Sequence, residues 1–363
     1  MKEIVLGFIT SFLVVLLATP SLIKVAKMKH LVDEPKEGRK LHRRSIPTIG
    51  GIIIFAANIF SYAIWFPSDN ASFFGGYYQM SKAFIEFKYM IASYILLFFI
   101  GVKDDIIGVD PFKKLIGHVI VGFILVVMAD MRITSMFGLF SLNDLPYWGS
   151  VLLSVFTYIV IVNAINLIDG VDGLAAGIGF ITCCMFGTYF FLGNSMGVSL
   201  FAFILAGSLS AFLLFNYSPA KIFMGDSGSL VIGASIYFLA ISCIEMDTRS
   251  LPYFVKGISK PLLTMAILVY PLIDTIRVFV YRSIKGVSPF SADKNHIHHK
   301  LLSLGLSHSK TVLILYLFNI GIVFTCLLFN FENPTISFFI LFSFATFVVQ
   351  IPFIFNLNGK KAT

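Results

Sequence analysis

The chain has 363 residues, of which 57% are hydrophobic and 13% charged, about half the charged share of an ordinary soluble domain. Together with a mean hydropathy of +0.89, that balance excludes a disulfide-built secreted scaffold, a disordered tail and a standard cytosolic enzyme. The net charge of +8 matters less than where the basic residues fall.

In chain order, apolar runs lie near Ile4–Val25, Gly50–Phe66, Lys88–Val102, Leu115–Ala129, Val151–Leu167, Leu174–Leu192 and Val198–Phe215, then near Leu230–Ile244, Pro261–Tyr281, Val312–Phe329 and Thr335–Phe355. A span needs about 20 apolar residues, so these predict an all-α, polytopic helical membrane protein with about eleven transmembrane helices, residues 1–363 forming a single integral-membrane domain. The first run is too long for a secretory signal and lacks a small-residue cleavage site, so it reads as a retained helix. The cysteines Cys183, Cys184, Cys243 and Cys326 sit inside apolar runs with no CxxC spacing and read as small hydrophobes.

An odd number of spans puts the termini on opposite sides. The loops after the odd-numbered spans carry 19 of the Lys and Arg residues and the other loops 7, with Arg277 inside a span. The basic set faces the cytoplasm by the positive-inside rule, leaving the N-terminus outside and the C-terminus inside. All the unusual polar motifs fall in that same set of loops, so the cytoplasmic loops are expected to carry the active site.

The first motif is the basic run Arg39, Lys40, His42, Arg43 and Arg44 before Pro47–Gly51, of the kind that sets topology and attracts anionic lipid. Asp104 and Asp105 follow at the end of the third span. Adjacent carboxylates repel unless one is protonated or both share a cation, and a solvated helix end is the plain alternative. Lys114 opens the next span, where it suits a lipid-linked phosphate at headgroup depth.

Asn163, Asn166, Asp169 and Asp172 recur every three residues, which on a helix or tight turn lines one face. A carboxylate within a span costs about 2.5–3.5 kcal/mol even on lenient scales, so the stripe implies a cavity, an ion or a ligand, or else a polar helix seam. Gly170 and Gly173 would let backbone approach a phosphate. Asp226, flanked by Gly225 and Gly228, suits Mg²⁺ together with phosphate oxygens, or a helix cap, or both. Asn216 is a candidate for base recognition. His296, His298 and His299 form an HxHH group that could neutralise a pyrophosphate, rest on lipid headgroups or bind zinc; zinc is disfavoured because no thiolates join it. Asp274 and Arg277, three apart, read as an ion pair.

Taken together, RKLHRRSIPTIGG, the DD…PxxK loop, NAINLIDGVDGLAAG, FMGDSG and SPFSADKNHIHHKLL resemble the polyprenyl-phosphate N-acetylhexosamine-1-phosphate transferases (glycosyltransferase family 4), in the family's order from about Asp33 to Leu302. HIHH, interrupted by Ile297, is most like the branch that transfers GlcNAc-1-phosphate to undecaprenyl phosphate. Asp110 stands where a small polar residue is more usual. The resemblance implies a bacterial inner-membrane enzyme that moves HexNAc-1-phosphate from a UDP-sugar to undecaprenyl phosphate and releases UMP, starting cell-surface glycan synthesis. It implies Mg²⁺, or Mn²⁺ in its place, held by Asp226 and Asn166. Asp104 and Asp105 would serve the lipid phosphate, Asp104 as the candidate for proton removal, and Lys114 would bind that phosphate. Asp169 would orient groups near the metal, and Asp172, Asn216 and Phe223 would shape the uracil pocket. His296, His298 and His299 would contact the sugar and diphosphate. A homodimer is left open and no nucleic-acid partner is expected. The alternatives are a MurNAc-pentapeptide phosphotransferase, a secondary transporter using the acids as an ion path, and a structural scaffold of a glycan assembly complex.

Overall fold

The computed structural model describes residues 1–33, 45–67, 70–286, 295–329 and 333–355. Arg39, Lys40, His42, Arg43 and Arg44, and Asp293 and Lys294 ahead of the histidines, lie outside the described residues. The chain falls into two compact units: Met1–Thr134 with Pro146–Pro252, and Ser135–Leu145 with Tyr253–Thr363.

The first unit opens with α1 (Lys2–Met28) and a two-stranded antiparallel ladder, β1 (Val32–Asp33) opposite β2 (Ile46–Pro47). It continues through α2 (Gly51–Trp65), α3 (Ala71–Phe74), α4 (Tyr77–Ile107), α5 (Pro111–Phe123, prolonged by a π-helical turn at Ile124–Met128), α6 (Tyr147–Leu167), α7 (Leu174–Leu192), α8 (Met196–Asn216) and α9 (Asp226–Glu245). The second unit holds α10 (Tyr253–Lys256), α11 (Lys260–Ile267), α12 (Val269–Ile284), α13 (Ile297–Ser303), α14 (His308–Leu328) and α15 (Pro334–Phe355).

In hydrocarbon every unpaired backbone group costs several kcal/mol, so apolar runs of this length fold as helices. Among the described residues nine helices are long and apolar enough to span a membrane, and α11 with α12 forms a tenth candidate bent by 79°. With α2, a shorter apolar helix of 15 residues, each of the eleven runs meets a helix. The protein is a multi-pass, all-α membrane protein.

The bend between α11 and α12 is a difference from the continuous span expected near Pro261–Tyr281. Pro271 has no N–H to donate to the Ile267 carbonyl one turn back. Asn319 of α14, wholly buried, replaces that bond: its Nδ2 donates to Ile267 O at 3.1 Å and its Oδ1 accepts from Tyr270 N at 3.2 Å. The broken helix is therefore satisfied from its neighbour.

Within the first unit α9 is apolar all round and buried from Ser227 through Ile241, as a central helix must be. It packs against α2, α4, α6 and α7. At its start the backbones meet directly. A Cβ on Gly51 would lie 2.0 Å from Gly228 N, and one on Gly101 would lie 2.5 Å from Ser227 Cα. Small residues permit this close crossing, and it sets the first turn of α9 between α2 and α4.

Candidate functional site

The first turn of α9 is the centre of an acidic cluster in the first unit. Gly225 precedes the helix at φ +72°, and a Cβ there would meet the Thr48 carbonyl at 2.0 Å and both Asp105 carboxylate oxygens at 2.7 Å. Only glycine fits that backbone and that space. Asp226 is then the first helical residue, not its cap. The cap comes from α4: Asp105 Oδ1 accepts the Asp226 N–H at 2.7 Å and Oδ2 accepts the Ser227 N–H at 3.0 Å. A carboxylate on a helix N-terminus satisfies orphan donors and meets the positive end of the dipole.

Asp104, beside it in the last turn of α4, faces a cation. Its Oδ2 accepts from Lys114 Nζ at 2.9 Å and its Oδ1 from the Val109 N–H at 2.8 Å. Lys114 also pairs directly with Asp226, so one ammonium bridges the carboxylates of two helices. Asp110 explains how Lys114 is aimed. It is the N-cap of α5, its side chain accepting from Phe112 N at 3.0 Å and Lys113 N at 3.3 Å, with Pro111 in the first turn.

Asn166, at the end of α6, donates from Nδ2 to Asp226 Oδ1 and to Ser229 Oγ, each at 2.8 Å. Asp169 lies in the turn after α6 and is hydrogen-bonded to the Gly225 backbone. Burial, with the negative charges of Asp226 and Asp105, pushes its carboxyl well above the ordinary carboxylate range.

The four-residue stripe does not stay on one face. The helix stops at Leu167 and the chain turns, so its members part. Asn163 donates to its own helix at Ile159 O, 2.8 Å away; Asn166 and Asp169 reach the cluster; Asp172 accepts the Ala220 N–H at 3.0 Å.

Of the residues expected around a uracil, Asp172 and Phe223 lie on two loops that Asn216, the last residue of α8, ties together. Asn216 is 3% exposed, its Oδ1 taking the Gly173 N–H at 3.0 Å and its Nδ2 donating to Ile222 O at 2.9 Å. Both ends of its amide hold backbone. Phe223 N–H donates to Pro47 O at 2.7 Å and Phe223 O accepts the Gly50 N–H at 3.0 Å, which fastens the segment after β2 to the same loop.

The histidines cluster in the second unit around a partner that sequence reasoning gave only to Arg277. Asp274 of α12, 1% exposed, accepts from His296 Nδ1 at 2.9 Å and from the Ile297 N–H at 2.9 Å, with Arg277 Nη2 at 3.8 Å. His298 Nδ1 lies 3.3 Å from the Tyr270 hydroxyl. Its ring stands 5.3 Å from that of His296 and 4.4 Å from that of His299. Burial pushes the His298 imidazole down to about 3 against the pull of Asp274. The signal for Asp274 was present in the sequence as an acid inside an apolar helix. Ser229 closes the glycine-rich motif around Asp226, but nothing in the sequence gave it a role; it shares the Asn166 amide.

Among the described residues no three His, Cys, Asp or Glu side chains form a metal-holding group. Mg²⁺ does not need one, because it keeps waters and takes one or two protein oxygens together with substrate phosphates. Asp226 supplies a hard carboxylate oxygen, Asn166 would add its Oδ1 once its amide turns from the Nδ2-donating orientation, and the ammonium of Lys114 shows that a cation is accommodated against Asp226. The donor set fits Mg²⁺.

The family model for glycosyl transferase family 4 matches residues 87–244, which contain the whole acidic cluster. Over 99% of its length the chain is 32% identical to a probable undecaprenyl-phosphate N-acetylglucosaminyl 1-phosphate transferase of Bacillus subtilis, covering 94% of that protein. It is 32% identical to a decaprenyl-phosphate N-acetylglucosaminephosphotransferase of Mycobacterium tuberculosis, over 89% of this chain and 81% of that one. An undecaprenyl-phosphate alpha-N-acetylglucosaminyl 1-phosphate transferase of Escherichia coli is 26% identical over 81% of this chain and 75% of its own. A cation-bridged acidic cluster on a polytopic helical frame, carried by near end-to-end similarity, places the chain in glycosyl transferase family 4.

Proposed function

We propose that the protein transfers GlcNAc-1-phosphate from UDP-GlcNAc to undecaprenyl phosphate, releasing UMP, at the cytoplasmic face of a bacterial inner membrane. The observation that carries this reading is the Asp104–Lys114–Asp226 bridge: a cation held between two carboxylates at the junction of three helix ends, where an incoming phosphate can take one carboxylate's place. The B. subtilis, M. tuberculosis and E. coli relatives all name GlcNAc-phosphate transfer to a polyprenyl phosphate, which disfavours the MurNAc-pentapeptide alternative.

One acceptor phosphate oxygen forms a bond to the β-phosphorus, the bond from that phosphorus to the bridging oxygen breaks, and UMP leaves with the electron pair. Two anions must meet in line, so charge neutralisation and positioning supply most of the catalysis. Lys114 holds the acceptor phosphate, and Asp104, its partner, takes any proton the phosphate still carries. Asp226 and Asn166 would hold Mg²⁺, which supplies charge neutralisation at the diphosphate. Asp105 fixes the turn from which Asp226 projects. For Asp172, Asn216 and Phe223 the uracil role is kept as a property of the loops they tie, and His296, His298 and His299 keep the diphosphate and sugar contacts that the resemblance gives them.

The test is UMP release by purified protein in detergent. It should need both UDP-GlcNAc and polyprenyl phosphate, disappear with chelator and return with Mg²⁺, and vanish in Asp226→Ala. UMP release without the lipid, or a different preferred sugar in a panel of UDP-HexNAc donors, overturns it. Solute transport in vesicles without product chemistry would favour a transporter instead.

A further inference from the structure

The HIHH segment is anchored by a residue whose part in it no motif records. Asp274 sits in α12, near the broken start of that helix, and is almost completely buried. Its two carboxylate oxygens are divided. Oδ2 lies 2.9 Å from His296 Nδ1, and Oδ1 accepts the Ile297 N–H at 2.9 Å. A carboxylate offers only acceptors, so the ring nitrogen facing it must be the one that carries the proton. The neighbours of the pair are Arg277 Nη2 at 3.8 Å from Oδ1, His298 Nδ1 at 3.9 Å from Oδ2, and the Tyr270 hydroxyl at 3.3 Å from His298.

We propose that Asp274 is a positioning residue that locks His296 in the Nδ1–H form and fixes its ring through the Ile297 amide, so that Nε2 is the atom directed to the sugar diphosphate. The consequence is chemical. With Nδ1 already protonated, Nε2 can donate to a phosphate oxygen only as part of an imidazolium, so that contact is charge-assisted and roughly twice the strength of a neutral one. A donor to ring nitrogen in place of the carboxylate would reverse this. It would leave Nδ1 unprotonated and Nε2–H a neutral donor. The proposal rests on the diphosphate role given to the histidines above, and it adds the residue that sets their protonation geometry.

Asp274→Asn separates positioning from mere anchoring. The amide oxygen can still take the Ile297 N–H, while its NH₂ group faces His296 Nδ1 and imposes the opposite tautomer. In the full chain in detergent, the expected result is an unchanged melting temperature with KM for UDP-GlcNAc raised about ten-fold or more and KM for polyprenyl phosphate unchanged. Loss of anchoring alone would lower the active fraction and move neither KM. A second measurement does not depend on the activity: ¹⁵N spectra of protein labelled at the histidine rings, with His296 assigned by its loss in His296→Gln. They should show an Nδ1–H ring in the native chain and an Nε2–H ring in Asp274→Asn. An Nε2–H ring at His296 in the native chain, or an unshifted KM for UDP-GlcNAc in an active Asp274→Asn enzyme, overturns the proposal. If the native chain does not use UDP-GlcNAc at all, the proposed function fails and the spectra alone decide the role of Asp274.

Discussion

Asp105, in the last turn of one helix, caps the first turn of another: its two oxygens take the N–H groups of Asp226 and Ser227, 121 and 122 residues further along the chain. The pair Asp104–Asp105 is thereby split between two tasks, one acid facing the Lys114 ammonium and the other facing backbone. Asp105→Ala removes the cap and should lower stability by about 1–2 kcal/mol, read as a fall in melting temperature in detergent. Activity should fall further than the lost folded fraction explains, because Asp226 is no longer held. Asp105→Asn keeps one acceptor and should lie between. A native melting temperature in Asp105→Ala would exclude the cap.

Gly225→Ala should be among the most damaging single changes in the chain. A methyl there meets the Thr48 carbonyl and the Asp105 carboxylate, and the backbone is at φ +72°. The expectation is a loss above about 2 kcal/mol, with no UMP release. Gly305→Ala is the control. It shares a positive φ of +88° but has nothing within 4 Å, so it should cost only the backbone strain of about 1–2 kcal/mol and leave turnover per folded molecule unchanged. Equal effects at the two sites would show that strain alone, without the crowding, accounts for Gly225.

Asn216→Ala deletes an amide whose two ends hold Gly173 and Ile222. Losing these two hydrogen bonds from buried backbone groups costs about 1 kcal/mol each. The loops carrying Asp172 and Phe223 should loosen together, seen as faster hydrogen exchange at residues 170–174 and 220–225 and as weaker UDP-GlcNAc binding. Weaker binding with exchange unchanged would mean that Asn216 contacts the nucleotide itself.

Stability should fall on acidification through the His298 window. The free imidazole titrates near pH 6.5, whereas in the fold burial holds it at about 3. Between those values the unfolded chain binds a proton that the folded chain refuses, so the stabilisation is present above about pH 6.5 and declines as pH falls. The decline is about 2 kcal/mol between pH 6.5 and pH 5. Asp274, His296, His299 and Arg277 face the same ring, and all remain in His298→Gln. That variant should therefore show a flatter melting temperature against pH than the native chain; parallel curves would place the pH dependence elsewhere.

The sequence by itself determined the class of fold and picked out six polar residues that the fold brings together. Apolar runs of span length leave the backbone no choice but helix in lipid, and acids in such company stand out because they are costly. Hence all eleven runs met helices, and Asp104, Asp105, Lys114, Asn166, Asp169 and Asp226 proved to be neighbours. What the tertiary structure alone decided is the division of labour. Periodicity put Asn163 through Asp172 on one face, but the helix ends at Leu167, so Asn163 bonds its own helix, Asn166 and Asp169 reach the acidic cluster, and Asp172 turns to Ala220. Spacing joined Asp274 to Arg277, whereas distance gives Asp274 chiefly to His296 and Ile297. Propensity and period act over a few residues, whereas the bonds that join Asp274 to His296 and Asp105 to Asp226 cross 22 and 121 residues of chain, where only packing determines which donor meets which acceptor.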